Sequence, residues 1–416
     1  MKLPAVSRFA AVLLLSMPVI AQATNSVFSH GYGQTSEGAG GVGVVLAEDS
    51  GALAANPAVA LAVAPRWDLG TDIYKVSIRS TLRGNAAGDD ARYLSDGQEV
   101  FIIPQGGFVA RYSDRIGYGA TLFAAGLGTD YPDNPYQRFG GSPRGGVKLG
   151  QSILSSALAY ALTPRHTIGV GINLAYQSIS VVGIEFLGAL SVAPQQVSNQ
   201  GREGAFGYGA QLGYRGQLAD TLTLGLSWRS RTNFSRFDDY RGLLPDGDLD
   251  MPTTYNAGLM WTPVPVLALA FEAQRAEYSD QKATGHRAER LAQGEALGSP
   301  NGPGFGWRDQ TVLKFGAVWT ASPQWTLRAG YSRATQLLPP SETFLGMMAP
   351  LVMRDHVTAG LTWRSANSGW DYTAMLGAAL SGAVDGRNSI PPALGGGEAD
   401  GTAQQRFIGL AIGRRF

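Results

Sequence analysis

The chain has no cysteine. This excludes disulfide staples and thiolate metal sites, and it suits a protein that passes through an oxidising compartment. Only four histidines occur, His30, His166, His286 and His356, and they are scattered without metal-ligand spacing. No metal site and no cofactor is therefore expected. Neither sign of charge is in excess: 33 Lys and Arg stand against 32 Asp and Glu, a net charge of +1. There is thus no basic stripe for nucleic acid and no acidic tail. Beyond the N-terminus no run is apolar over the roughly 20 residues that a membrane-crossing helix needs. With 44% hydrophobic residues, a bundle of membrane helices is excluded. There is no G-x-S-x-G elbow. The carboxylates of "EDS", "GDD" and "FDD" fall where solvation or turn formation explains them, and His356 with a serine does not by itself make a hydrolase site. No catalytic residue is expected, and the chain is read as a non-enzyme.

What is abundant is glycine, 56 of 416 residues, about twice its usual share of roughly 7%. At the N-terminus, Lys2 and Arg8 precede the apolar "FAAVLLLSMPVI" and the small-residue site "AQA". This is the pattern of a secretory signal peptide over residues 1–23, cleaved after Ala23.

After residue 65 the sequence alternates with a period of two. In "HTIGVGINLAY", Ile168, Val170, Ile172, Leu174 and Tyr176 share one face, opposite Thr167, Gly169, Gly171 and Asn173. "TLTLGLSWR" sets Leu222, Leu224, Leu226 and Trp228 against Thr223, Gly225, Ser227 and Arg229, and "WTLRAGYSR" follows the same scheme. Alternation of this kind marks strands, and the segments are long enough to cross an outer membrane at a tilt. Aromatics such as Tyr176, Trp228, Trp261, Trp319 and Trp363 end many apolar faces, as girdles do at lipid boundaries. About fourteen segments are counted, and every second link is tight: "SDR" (113–115), "TPR" (163–165), "LAD" (218–220), "TPVP" (262–265), "SPQ" (322–324) and "SANS" (365–368). The intervening links are long. Short turns on one side and long loops on the other are expected of an outer-membrane barrel, with the short side periplasmic. The reading is all-β: a transmembrane antiparallel β-barrel of about 14 strands over residues 65–416. The chain closes with "QRFIGLAIGRRF", and a last strand ending on Phe416 suits recognition by barrel-assembly machinery.

Residues 24–64 do not alternate. Within them, Gly38, Gly40 and Gly43 have the G-x-G-x-x-G spacing of a dinucleotide fingerprint. That motif requires a preceding strand, a following helix and an acidic residue about twenty positions on; "HGYGQTSE" before it and "VALAVA" after it supply none of these. A barrel of this size encloses more lumen than its side chains fill, and glycine and alanine suit backbone packed closely inside it. Residues 24–64 are therefore read as a hatch within the lumen. "AEDSGALAANPA" is expected to form a short helix ending before Pro57.

Gly38, Gly40, Gly41, Asp49, Ala52 and the "NPA" of Asn56, Pro57 and Ala58 resemble the hatch of the FadL-like family of long-chain fatty acid and aromatic hydrocarbon outer-membrane transporters. "GLGTDY" (126–131), "MPTTYNAGLMW" (251–261), "WRDQTVLKFG" (307–316), "WTLRAGYSRATQLLPP" and "PLVMRDHVTAGLTW" extend the resemblance over nearly all of the mature chain. The resemblance implies passive transport of hydrophobic compounds in the outer membrane of a Gram-negative bacterium, by a monomer surrounded by lipid and lipopolysaccharide. Cargo is captured at outer loops, the hatch shifts, and cargo leaves sideways through a gap in the wall. It further implies a gate at Asn56, Pro57 and Ala58, lying against a kink at Ala124, Ala125 and Gly126. Phe186, Leu187 and Leu190 in the apolar loop "VVGIEFLGALSV" are candidates for a capture surface. An ungapped alignment places Gly183 and Pro303 where fatty-acid members carry basic residues. Lys314 and Arg328 are then candidate substitutes for binding a carboxylate, and neutral aromatic cargo stays open. The rival readings are a porin for polar solutes and a loop-mediated adhesin.

Overall fold

The computed structural model describes residues 29–97 and 100–416; the expected signal peptide lies outside them. The wall consists of strands β1 Arg66–Arg83, β2 Val100–Ser113, β3 Ile116–Gly128, β4 Gly146–Thr163, β5 His166–Val182, β6 Glu203–Ala219 and β7 Leu222–Arg229. It continues through β8 Thr254–Val264, β9 Leu267–Ala276, β10 Gln310–Thr320, β11 Trp325–Ala334, β12 Asp355–Arg364, β13 Trp370–Val384 and β14 Glu398–Arg415. Each strand pairs antiparallel with the next, and β14 returns to β1 in unbroken register from Arg66↔Arg415 to Arg83↔Glu398. The result is a closed cylinder of 14 strands.

The two-residue rhythm sets which face looks where. On β5 the apolar face points outward, with Ile168, Val170, Ile172, Leu174 and Tyr176 between 38% and 60% exposed, while Asn173 and Gln177 are buried inside. A water-soluble barrel would turn the same pattern inside out; here lipid is the outer solvent. Trp261, Trp319, Trp325, Trp363 and Tyr372 stand exposed beside the short turns, forming the periplasmic girdle.

Residues 29–64 fill the periplasmic half of the lumen. Ala39, Leu53 and Ala58 expose no surface. The segment has one helical turn at Gln34–Gly38, a second at Ala52–Ala55, and a 3-10 turn at Pro57–Leu61, with Asn56 extended between the last two (φ −155°, ψ 112°). Proline at position 57 imposes that break. The glycines allow backbone to lie on backbone. A Cβ on Gly38 would stand 2.9 Å from the Gly360 Cα of β12; one on Gly40, whose φ is +73°, would stand 2.5 Å from the Phe315 carbonyl oxygen of β10. These contacts, and no phosphate cradle, account for the glycine spacing.

Above this segment the long loops fold inward. Tyr136, Ile179, Leu244, Met251, Trp307, Leu338 and Met348 belong to one continuous apolar core in the extracellular half.

Candidate functional site

Among the described residues, the wall is hydrogen-bonded all round except in one place. β2 and β3 pair only from Gly106↔Leu122 down to Ser113↔Ile116 at the periplasmic turn. Beyond that, residues 100–105 pair only with β1, from Lys75↔Val100 to Gly70↔Gln105. Residues 123–128 pair only with β4, from Phe123↔Ile153 to Gly128↔Lys148. A breach therefore opens between the two strands. The sequence-expected kink residues Ala124, Ala125 and Gly126 lie on its lip. From residue 123 to 128 the in–out alternation of β3 disappears and every residue is buried, so this stretch has turned into the lumen. Gly126 takes a φ of +155°, which favours glycine. At its extracellular end the breach is bridged again: Gly97 N donates to Asp130 O (3.0 Å), and Asp130 N donates to Ser95 Oγ (2.8 Å). Arg144 and Lys148 ion-pair with Asp130 and, against the opposing effect of burial, hold its carboxyl below the usual range.

The start of the hatch is stitched across both lips. Ser29 Oγ donates to the Ala124 carbonyl (3.0 Å), supplying a partner to backbone on the breach strand. Gly33 N donates to Gln105 Oε1 (2.9 Å) on the β2 lip. The Tyr32 ring meets the Phe123 ring edge-on, with centroids 4.7 Å apart. Unpaired backbone groups facing hydrocarbon are costly, and this short segment covers part of that exposure.

Behind the breach lie two small apolar cavities. One small cavity is lined by Leu127 at the β3 lip together with Leu149, Ile179, Met251, Trp307 and Met348. A second, nearer the loops, is lined by Leu243, Leu244, Leu297, Pro303 and Leu345, and it shares Phe305 and Met348 with the first. Among the described residues neither cavity is lined by a charged side chain. Pro303, at a position where a basic residue is implied for fatty-acid carriers, forms part of this apolar lining.

Below these cavities the contacts are ionic. Lys314 Nζ lies 3.0 Å from Glu272 Oε1 and also donates to Gly41 O (3.0 Å). The other oxygen of Glu272 accepts from Gly43 N and Val44 N. Arg328 forms a fork with Glu48 of the hatch (Nε to Oε2, 2.8 Å). Arg66 joins Asp68, Asp371 and the Glu48 carbonyl. Near the breach, Glu37 and Asp49 of the hatch are fully enclosed. Burial first, then neighbouring Asp72, raises the Glu37 carboxyl; burial, then neighbouring Asp68, raises Asp49 to about 6.

Several sequence expectations are corrected by this geometry. Lys314 and Arg328 are not open to a substrate carboxylate, because each is held by an acid and clamps the hatch. Asn56, Pro57 and Ala58 do not lie against the kink. Asn56 Nδ2 donates to the Val44 carbonyl (2.8 Å) and to the Tyr214 carbonyl of β6 (3.0 Å), while Asn56 Oδ1 caps Ala58 N (3.0 Å). Glycines at 169 and 213 let this turn dock on β5 and β6, and Ser29 occupies the kink instead. Phe186, Leu187 and Leu190 do not form one open surface. They belong to a 3-10 turn at Glu185–Leu190 that docks inward. Leu187 is buried, Phe186 packs against Tyr136, Phe139 and Phe344, and only Leu190 of the three is exposed. The sequence reading missed Ser29, Tyr32, Gln105, Glu48 and Glu272. An inward Glu272 in the apolar strand "LALAFEAQRA" was the one visible signal, since a buried acid requires a partner.

A sequence model of the family described as outer membrane protein transport protein (OMPP1/FadL/TodX) matches residues 20–371. No curated protein sequence matches the chain. Among solved structures, a FadL homologue from Pseudomonas aeruginosa is similar with a TM-score of 0.72 at 17% identity, covering 94% of this chain and 100% of that one. The toluene transporter TodX of Pseudomonas putida gives 0.67 at 19% identity, with 96% and 100% covered. The toluene transporter TbuX of Ralstonia pickettii gives 0.65 at 19% identity, with 93% and 99% covered. At such identities the likeness is one of fold.

Proposed function

Given that the chain belongs to the outer-membrane transport family that includes FadL and TodX, a family of transport channels and not of enzymes, we propose that it carries hydrophobic small molecules sideways into the membrane. The cargo class is long-chain fatty acids or neutral aromatic hydrocarbons. Cargo is captured among the extracellular loops, where Leu190 and Val192 are 44% and 58% exposed. It moves past Phe305 and Met348 to Leu127. The stitched segment 29–33 then leaves the lips, and cargo passes between β2 and β3 into the bilayer without crossing the ionic floor.

The observation that carries this reading is the loss of β2–β3 pairing beside a small apolar cavity that reaches Leu127 on the β3 lip. A polar-solute porin is disfavoured because the lumen is filled by residues 29–64 and its upper half is apolar. An adhesin has no use for a breached wall. The test uses the absence of native cysteine. A Ser29→Cys/Ala124→Cys pair, oxidised, fastens the hatch to the lip. Uptake of a fluorescent fatty acid or of toluene into cells is expected to stop on oxidation and to return with reductant. Uptake that continues through the cross-linked protein would refute lateral exit by this route.

A further inference from the structure

The outer face of the seam between β1 and β14 carries cations just above an apolar row. Across β2, β1, β14 and β13 the outward residues Ile102, Ile73, Ile408 and Leu376 stand opposite one another. Ile102, Ile408 and Leu376 are 62%, 50% and 62% exposed. The next outward row towards the loops is Val100, Lys75, Arg406 and Ala378. Lys75 and Arg406 thus face each other directly, and like charges in that position disfavour the pairing. Further along β1 the outward Arg79 stands opposite Thr402 on one side and Leu94 on the other. Arg79 and Arg406 are exposed, and among the described residues neither guanidinium has an ion pair or a hydrogen bond. At the same end of the wall Arg83, Arg275 and Arg333 are each matched by an acid, namely Asp400, Asp309 and Asp355. The depth of the seam follows from the strand. Trp67 of β1 meets Trp370 edge-on at the periplasmic girdle, with centroids 5.4 Å apart. From Trp67 to Lys75, at about 3.3 Å per residue and a tilt of about 40°, the wall rises about 20 Å. That is near the top of an apolar band about 25 Å tall, and Arg79 stands about 10 Å higher.

We propose that this face docks a diphosphorylated, multiply acylated glycolipid of the outer leaflet, of the kind that anchors lipopolysaccharide. One phosphate sits on Arg406 beside Lys75 and the other on Arg79. Lipid tails alone account for the row Ile102, Ile73, Ile408 and Leu376, but not for guanidinium groups without acids directly above it. Phosphate does, because the planar fork of arginine matches its oxygens with two parallel bonds. The level of Arg406 and that of Arg79 are about 13 Å apart along β1. That spacing suits two phosphates held apart by a disaccharide better than the single phosphate of a glycerophospholipid. The acyl chains run down the apolar row, and one side of them rests on Val100 and Ile102. Both belong to the β2 lip, which pairs only with β1. The docked lipid therefore borders the breach from outside and is separate from anything held in the lumen.

The experiment measures binding to the purified full-length barrel in detergent by native mass spectrometry. The lipids are diphosphoryl lipid A, monophosphoryl lipid A and phosphatidylglycerol; the proteins are wild type, R79Q, R406Q and R275Q. The wild type should bind diphosphoryl lipid A about tenfold or more tightly than either other lipid, the effect of one charge-assisted bond. R79Q and R406Q should each lower the diphosphoryl lipid to the level of the monophosphoryl one. R275Q, which alters a cation already matched by Asp309, should leave it unchanged. Equal wild-type affinities for the three lipids, or no binding of any, overturn the site. So does a loss in R275Q equal to that in R79Q and R406Q, or no loss in those two. The wild-type comparison among lipids stands even if a variant fails to fold, and none of these outcomes bears on the transport reading.

Discussion

Two levels of the same lumen are built from opposite chemistry. Above the hatch the interior is hydrocarbon, lined by Leu149, Ile179, Met251, Trp307 and Met348. At the hatch it is ionic, with Lys314–Glu272 at 3.0 Å, Arg328–Glu48 at 2.8 Å and Arg66–Asp371 at 3.0 Å. Apolar contacts are non-directional and tolerate a sliding molecule. Buried ion pairs with satisfied hydrogen bonds fix one arrangement and penalise others, although they add little net stability over a hydrophobic replacement. The upper level thus offers an apolar solvent, as the proposed transport requires, and the lower level holds the hatch in a single position. The breach between β2 and β3 lies where the two meet.

The contrast can be broken at either level. The largest effect is expected from deleting residues 29–64: single-channel recordings should show a wide, persistent ion conductance in place of a sealed barrel. An unchanged conductance would mean that the hatch is not the seal. Next is Glu272→Ala, which leaves Lys314 buried without its acid and removes the acceptor of two hatch amides. Breaking such a pair costs about 3–5 kcal/mol, so frequent conductance bursts and a lower melting temperature are expected, with Glu272→Ala/Lys314→Met recovering much of the loss. In the upper level, Met348→Glu places an unpaired carboxylate between the two apolar cavities. Uptake of apolar cargo should fall about tenfold or more while ion conductance stays low; unchanged uptake would argue against a route past these cavities. The smallest effect is from pH. With the Asp49 carboxyl at about 6 in the folded protein and an ordinary unfolded value near 3.9, its contribution to holding the hatch grows as pH drops through 6 and is lost as pH rises. Residual leak should be lower at pH 5 than at pH 7.5.

The wall was readable because its cause is local. A strand between lipid and lumen must alternate, so "HTIGVGINLAY" shows its faces by itself, and tight and long links mark the two ends. A kink at Ala124, Ala125 and Gly126 was implied only by the family resemblance; the missing β2–β3 pairing beside it has no local sequence signature. What binds the hatch was not readable either, since each bond joins residues far apart in the chain: Arg328 meets Glu48 across 280 positions, and Lys314 meets Gly41 across 273. A lumen-facing cation looks the same in sequence whether it waits for a ligand or holds its own chain. For that reason the sequence offers Lys314 and Arg328 as candidates for a cargo carboxylate, although each holds the hatch. Leu187 misled in a similar way. An apolar loop residue can face solvent or a neighbouring loop, and only the inward fold of the loops, with Phe344 beside Phe186, decides.

The breach also bears on how such a wall can diversify. Each lip keeps a hydrogen-bonded neighbour on its far side, β1 for residues 100–105 and β4 for residues 123–128. Unzipping or closing one further residue pair beyond Gly106↔Leu122 therefore alters the aperture without shifting the register of any other strand. On the proposed transport reading, the girth of the molecule admitted and the correct assembly of the cylinder become separately mutable traits, tuned by substitutions confined to two short lips.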